Sequence, residues 1–252
     1  MTTFQEKYNE FIGNKNNEFM IVENPQNQNT QCISKINTLL ILDSSFNPPH
    51  KGHLQMLLKA IKKYKTNKNK LAVLLQLSIN NVDKGMKPAL PSKRLEMMSL
   101  FIKDLHHLDN DIYSYISLTK YGKFTDKITP INIFFGNSNF EINQYIFLLG
   151  FDTLERLFMP KYYLPNTVED SLAEFFKKCK IDCLTRGKDY ELQTKWKADN
   201  VPLLFQNKID LEVNEDLETS NISSSNIRDF KNYNKCTKLV EKYICESKVD
   251  LF

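Results

Sequence analysis

Two of the chain's four histidines fall in one short stretch, Asp43-Ser44-Ser45-Phe46-Asn47-Pro48-Pro49-His50-Lys51-Gly52-His53. The stretch follows an apolar run, Leu39 to Leu42, and precedes Leu54, Leu57, Leu58 and Ile61 at helical spacing. The order His50-x-Gly52-His53 therefore opens a helix directly after a strand. A helix N-terminus offers unpaired N–H groups and the positive end of its dipole. Histidine rings there add N–H donors, and Gly52 removes a side chain so that the backbone can pack closely. Together they suit a polyphosphate. Two blander alternatives stand beside this: a capped loop with surface histidines, and a His–His metal pair for which no third ligand lies nearby.

Three other places share the logic. In Asn221-Ile222-Ser223-Ser224-Ser225-Asn226-Ile227-Arg228 the serines open a helix. Ser224 and Arg228 share a helix face, and arginine is a forked, permanently charged phosphate donor. On its own this is a plain N-cap. In Leu149-Gly150-Phe151-Asp152 the glycine ends a strand, and Asp152 could accept from ribose hydroxyls or serve as an N-cap. Thr185-Arg186-Gly187 follows another strand and could line a base or a phosphate, or be a turn. Arg94, near Lys84 and Lys87, could reach a substrate phosphate or belong to a solvated face.

The elements that must hold these residues alternate. Strands are predicted at Leu39–Leu42, Leu71–Leu77, Ile112–Leu118, Tyr145–Leu149 and Ile181–Leu184, with one or two more within Val201–Val213. Helices are predicted at His53–Tyr64, from a Ser92 cap through Phe101–Ile102, and at Asp152–Phe158, Leu172–Cys179, Ser225–Phe230 and Lys238–Ile244. Alternation of this kind implies βαβ units and a parallel sheet covered on both faces, an α/β class in which ligands sit beyond the carboxyl ends of strands. Residues 1–37 read as a polar N-terminal extension, a short helix (Phe4–Phe11) followed by an amide-rich stretch with order expected to be partial at best. Residues 38–252 read as the domain.

Composition narrows the classes. With 34 Lys and Arg against 30 Asp and Glu, the formal charge of +4 is too mild to argue a nucleic-acid partner. A hydrophobic content of 41% over 252 residues supports a large core rather than disorder. No apolar run approaches the ~18–20 residues of a membrane span, so no membrane partner is expected. Five cysteines without a Cys-x-x-Cys pair suit free thiols, and no targeting segment is visible, so the expected compartment is the cytoplasm, with the nucleus left open.

Taken together, Ser44-Ser45-Phe46-Asn47-Pro48, His50-x-Gly52-His53 and Ile222-Ser223-Ser224-Ser225-x-Ile227-Arg228 resemble the nucleotidyltransferases of the His-x-Gly-His superfamily. Leu149-Gly150-Phe151-Asp152-Thr153-Leu154 narrows the resemblance to nicotinamide/nicotinate mononucleotide adenylyltransferases, closest to a divergent fungal branch. The resemblance implies a Rossmann-like, doubly wound, mainly parallel sheet. It implies transfer of AMP from ATP, with Mg²⁺, to nicotinamide or nicotinate mononucleotide. By the same carry-over His50 and His53 hold the ATP phosphates, with His53 at the α-phosphate, and replacing His53 is expected to leave the fold intact. Ser44, Ser45 and Phe46 form part of the nucleotide site. Ser224, Ser225, Asn226, Ile227 and Arg228 bind from the other side, and Gly150, Asp152 and Arg186 line the cleft. Lys84 and Arg94 serve the mononucleotide. Two departures stand out: Ser44 replaces the family's glycine, and the only tryptophan, Trp196, lies outside the expected segments, leaving Tyr121, Phe124, Tyr162 or Tyr163 to stack on the pyridine. A divergent ATPase, an adenylyltransferase for another acceptor, and a non-catalytic nucleotide-binding regulator are the alternatives.

Overall fold

The apolar run around Leu39–Leu42 belongs to a strand with no solvent face. In the computed structural model, which describes residues 2–24, 36–66, 70–80, 89–136, 142–247 and 251–252, Leu40 and Leu42 point into one apolar layer and Leu39 and Ile41 into another. A central strand of a parallel sheet is built this way. The chain begins with helix α1 (Phe4–Gly13) and strand β1 (Phe19–Glu23), then β2 (Ile36–Ser44), α2 (Lys51–Tyr64), β3 (Lys70–Ser78), α3 (Pro91–Leu108) and β4 (Tyr113–Thr119). It continues through α4 (Phe124–Gly136), β5 (Gln144–Gly150), α5 (Phe151–Leu157), α6 (Val168–Lys178), β6 (Cys179–Leu184) and α7 (Tyr190–Asn200). The turn α8 (Leu203–Gln206), β7 (Ile209–Glu212), the turn α9 (Leu217–Ser220), α10 (Ser224–Phe230) and α11 (Lys238–Glu246) complete it.

The seven strands lie in the order β1-β4-β3-β2-β5-β6-β7, all parallel except β1, which runs antiparallel to β4. One face is covered by α1, α2, α3 and α11 through residues such as Phe11, Leu57, Phe101 and Val240. The other is covered by α4, α5 and α6 through Ile131, Leu154 and Phe175. This is the Rossmann-like, doubly wound arrangement. From β2 the chain builds outward to β3 and β4, then returns and builds through β5 to β7 in the opposite direction. The reversal lies between β2 and β5, and a crevice opens beyond their carboxyl ends. Among the described residues no helix is long and apolar enough to cross a membrane.

Several expectations need correction. The boundary at residue 38 does not separate an extension from the domain. Thr3 and Glu6 form a capping box on α1, Phe11 is fully buried, and β1 adds an edge strand with Phe19 opposite Thr119. The amide-rich residues 25–35 lie outside the described residues. Helix α3 starts at Pro91 with no side-chain cap. Ser92 instead donates to Gln5 of α1 (2.6 Å). β4 does not alternate: all seven of its residues are buried, because both its faces and its outer edge are covered. Residues 201–213 hold the turn α8 as well as strand β7. Helices α4 and α7 are not anticipated by the pattern; Pro130 lies inside α4.

Lys63, in the last turn of α2, reaches Asp182 of β6 (3.2 Å) and Asp210 and Glu212 of β7 (2.8 and 2.6 Å). Tyr64 also donates to Asp182 (3.0 Å). These contacts pin α2, and so the histidines at its start, over the second half of the sheet. Burial holds the Asp182 carboxyl above the usual carboxylate range, against the pull of Lys63. Lys63→Met is expected to lower stability by about 2–3 kcal/mol at pH 7, because it strands a buried carboxylate whose partner was itself part-exposed. A carboxyl raised in the folded state binds its proton more tightly there than in the unfolded chain, so the deficit should shrink as pH falls toward 5. Denaturant melts across pH check this, and a deficit that ignores pH contradicts it.

Candidate functional site

The loop between β2 and α2 has backbone groups that neither element satisfies, and side chains from distant segments take them up. Arg94 donates from Nε to the Ala89 carbonyl (2.9 Å) and from a terminal nitrogen to Ser45 O (3.4 Å). Arg228 donates to Asn47 O (2.5 Å), and Ser224 Oγ donates to Pro48 O (2.9 Å). Asn47 Oδ1 accepts from Ala89 N (3.1 Å). Phe46 has a φ of +44°, a costly conformation for a bulky residue. Its fully buried ring lies 5.3 Å from that of His53.

The two histidines then cap the helix they open. His50 Nδ1 accepts from His53 N (3.4 Å), His53 Nδ1 accepts from His50 N (3.2 Å), and the rings stack at 3.7 Å. This is a capping box made of imidazoles. With both Nδ1 atoms committed as acceptors, each neutral ring carries its proton on Nε2. The His53 Nε2 lies 3.1 Å from Ser44 Oγ. A Cβ on Gly52 would sit 3.0 Å from His50 Nδ1, so any larger residue would push the His50 ring aside by a few tenths of an ångström. The left-handed residue of this loop is Phe46, not Ser44, and the Ser44 hydroxyl meets His53.

Beyond β2 and β5 lies a cleft of about 490 Å³. Ser44, Ser45, His50, His53, Gly150, Asp152, Arg186, Ser224, Ser225 and Asn226 all line it. The space beside Gly150 is open, and Asp152 pairs with Arg186 (3.2 Å) rather than capping α5. Ser223 is the N-cap of α10, accepting from Asn226 N (3.1 Å). Phe46, Arg94, Ile227 and Arg228 stand behind the cleft. The two arginines hold loop carbonyls, and Ile227 is a core residue, 1% exposed. Lys84 lies outside the described residues.

A second chamber of about 250 Å³ adjoins the first and shares Asp43, Ser44, Ser45, Thr153 and Arg156 with it. Phe124, Tyr162 and Tyr163 line this chamber, with Lys123 and Lys127. Three of the four aromatic candidates for stacking are thus gathered there. Trp196 packs edge-on against Phe151 elsewhere. Asp43, Lys127, Arg156 and Asn214 are site residues that motif reading missed. Asp43 and Asn214 could have been found by scanning positions at and just past strand ends. Lys127 depends on recognising α4.

Residues 41–230, three-quarters of the chain, match the family model described as cytidylyltransferase-like. The chain belongs to this family. Among curated proteins this cytidylyltransferase-like chain is 34% identical over 151 residues to a Schizosaccharomyces pombe protein provisionally named nicotinamide mononucleotide adenylyltransferase. The match takes in 60% of the chain and 54% of that protein, so the chain spans about half the length of the curated relative it matches. Among solved structures the same fold occurs in Plasmodium falciparum nicotinic acid mononucleotide adenylyltransferase complexed with NaAD (TM-score 0.55, 19% identity). The same enzyme complexed with APC gives a TM-score of 0.54 at 18% identity. Both alignments cover 83% of this chain and 95% of the other.

Lys127 and Asp43 form an ion pair buried on both sides, with side-chain exposures of 3% and 6%, and Asp43 Oδ1 meets no donor among the described residues. Lys127→Met is expected to cost about 3–5 kcal/mol, since it leaves the carboxylate uncompensated. Adding Asp43→Asn should restore most of that loss. Melting of the single and double variants checks this; additive losses contradict a coupled pair.

Proposed function

We propose that the chain transfers AMP from ATP to nicotinamide or nicotinate mononucleotide, forming NAD or its acid analogue and releasing pyrophosphate. The observation that carries this reading is the meeting of two chambers at one wall. The larger opens on the histidine-capped start of α2 and suits a nucleoside triphosphate. The smaller is lined by aromatic rings and suits a flat pyridine, with cations near its phosphate. In this reading the two phosphates meet at the residues the chambers share, Asp43, Ser44, Ser45, Thr153 and Arg156. The name of the Schizosaccharomyces pombe relative and the fold shared with the Plasmodium falciparum enzyme support the same chemistry.

In this reading an oxygen of the mononucleotide 5′-phosphate attacks the α-phosphorus in line. The bond from that phosphorus to the oxygen bridging the β-phosphate breaks, and its electrons leave with pyrophosphate. No enzyme nucleophile is needed, so the protein's work is positioning and charge stabilisation. In the free cleft His53 donates its Nε2–H to Ser44 Oγ, 3.1 Å away on the same wall; in this reading it turns that proton to the α-phosphate, beside the Ser44 O–H. His50 serves the outer phosphates. Asp152 accepts from ribose, and Arg156 lies where the two substrates meet. Arg94 and Arg228 act through the loop they hold and are positioning residues. Mg²⁺ in this reading arrives on the triphosphate, whose charge it screens.

His53→Ala should lower kcat by at least ~10²-fold, the usual scale for a lost transition-state donor. Burial of His53 and its bond to His50 N revise the expectation of an unaffected fold: about 1 kcal/mol of stability should go with the cap. The test is mass-resolved product analysis with ATP, Mg²⁺ and an equimolar mixture of the two mononucleotides, wild type beside variant. Dinucleotide from the wild type alone is expected. No dinucleotide from either overturns the function, and equal yields overturn the role of His53.

A further inference from the structure

Helix α5 crosses from one chamber to the other. Asp152 lines the larger chamber, Thr153 and Arg156 line both, and Leu157 lines the smaller. Phe151, Leu154 and Leu157, three residues apart, anchor the helix in the core. That leaves Asp152, Thr153 and Arg156 toward the crevice. Asp152 pairs with Arg186 beyond the end of β6 (3.2 Å). Arg156 comes one turn later on the same face of the helix and is exposed. Among the described residues it is the one Lys or Arg that lines both chambers.

The neighbouring cations have other work. Arg94 and Arg228 hold loop carbonyls from behind, Arg186 answers Asp152, and Lys127 answers Asp43. The wall that the chambers share has two parts. Asp43, Ser44 and Ser45 bring hydroxyls and an acid already matched by Lys127; Thr153 and Arg156 bring a hydroxyl and a guanidinium. Attack of one phosphate on another draws two anions to within about 3–3.5 Å before a bond forms. Charge then builds on the oxygens around the α-phosphorus. A guanidinium suits this place, because its planar fork of N–H donors can hold an oxygen of each phosphate at once. An ammonium is a single point charge.

We propose that Arg156 is a catalytic residue whose guanidinium bridges the attacking phosphate of the acceptor and the α-phosphate under attack. This rests on the adenylyl-transfer reading above and adds to it a residue that lies outside the sequence motifs. The bridge is tightest where the two phosphates are closest, in the transition state. Its loss therefore falls on kcat rather than on the binding of ATP.

The experiment is steady-state formation of dinucleotide from ATP and Mg²⁺ with each pyridine mononucleotide in turn. It compares the full chain with Arg156→Ala and Arg156→Lys, with and without guanidinium added below denaturing concentration. Both variants should fold, since the side chain is exposed. Arg156→Ala should lower kcat at least ~10²-fold and leave KM for ATP within about threefold. Guanidinium should restore part of the rate of Arg156→Ala and leave the wild type unchanged, because a missing donor can be replaced from solution and a distorted helix cannot. Arg156→Lys keeps the charge without the fork and should fall between wild type and Arg156→Ala. An unchanged kcat in Arg156→Ala, a loss confined to KM, no rescue by guanidinium, or full activity in Arg156→Lys overturns the inference while leaving dinucleotide formation in place. No dinucleotide from the wild type overturns the adenylyl-transfer reading, and the inference with it.

Discussion

Everything at this site depends on where a few carbonyl groups of the β2–α2 loop are tied. Ser45, Asn47 and Pro48 each expose a carbonyl oxygen that no helix or strand can satisfy, and a buried orphan of this kind costs free energy. Arg94 comes from α3, Arg228 and Ser224 from α10, and each takes one of these oxygens. Two segments far apart in sequence are thereby clasped onto one loop. Neither arginine lines the cleft. The negative ends of the loop's peptide dipoles are held from behind, and the histidine pair and the start of α2 are left for an anion. Burial lowers the Arg94 pKa and the neighbouring Arg228 charge adds to this, but guanidinium remains charged and bonds carbonyls well.

In the proposed reading the sheet turns that loop into a two-substrate site. Reversal of strand order between β2 and β5 prevents the flanking helices from closing over the crevice, so it stays open at the loop. On one side, β5, β6 and β7 extend a polar wall long enough for a nucleotide. On the other, α4 and the residues around Tyr162 enclose a smaller aromatic chamber. Asp43 and Lys127 stand at the boundary as a buried pair. In the proposed reading the reacting phosphates meet near that boundary, where the pair keeps an ammonium out of bulk water.

Local signals carried much of this. The parallel strands are legible because a strand buried on both faces is apolar without alternation, as at Leu39–Leu42. His50, Gly52 and His53 are legible because a phosphate-binding turn needs donors, a helix start and a missing side chain within four residues. Gly52 does make the close approach its type suggests. What stayed hidden depends on partners distant in sequence. Arg228 and Ser224 read as phosphate ligands, since nothing local says that their bonds go to carbonyls about 180 residues away. Ser92 reads as a cap because its partner, Gln5, sits on a segment taken for a loose extension. Helix α4 is masked by Pro130 and by a weak amphipathic pattern, and Lys127 is lost with it. Asn214 needed only the end of β7 to be placed, but the preceding stretch reads as strand where α8 forms.

The central claim is that attack falls on the α-phosphorus, where the two chambers meet beside His53 and Ser44. Phosphorus NMR of ATP turnover with the pyridine mononucleotide, in the presence of Mg²⁺, tests it most directly. The account predicts pyrophosphate appearing in step with a new diphosphate linkage in the dinucleotide, and no accumulation of ADP. Release of ADP and inorganic phosphate, with the mononucleotide unchanged, would place the reaction at the γ-phosphorus and contradict it.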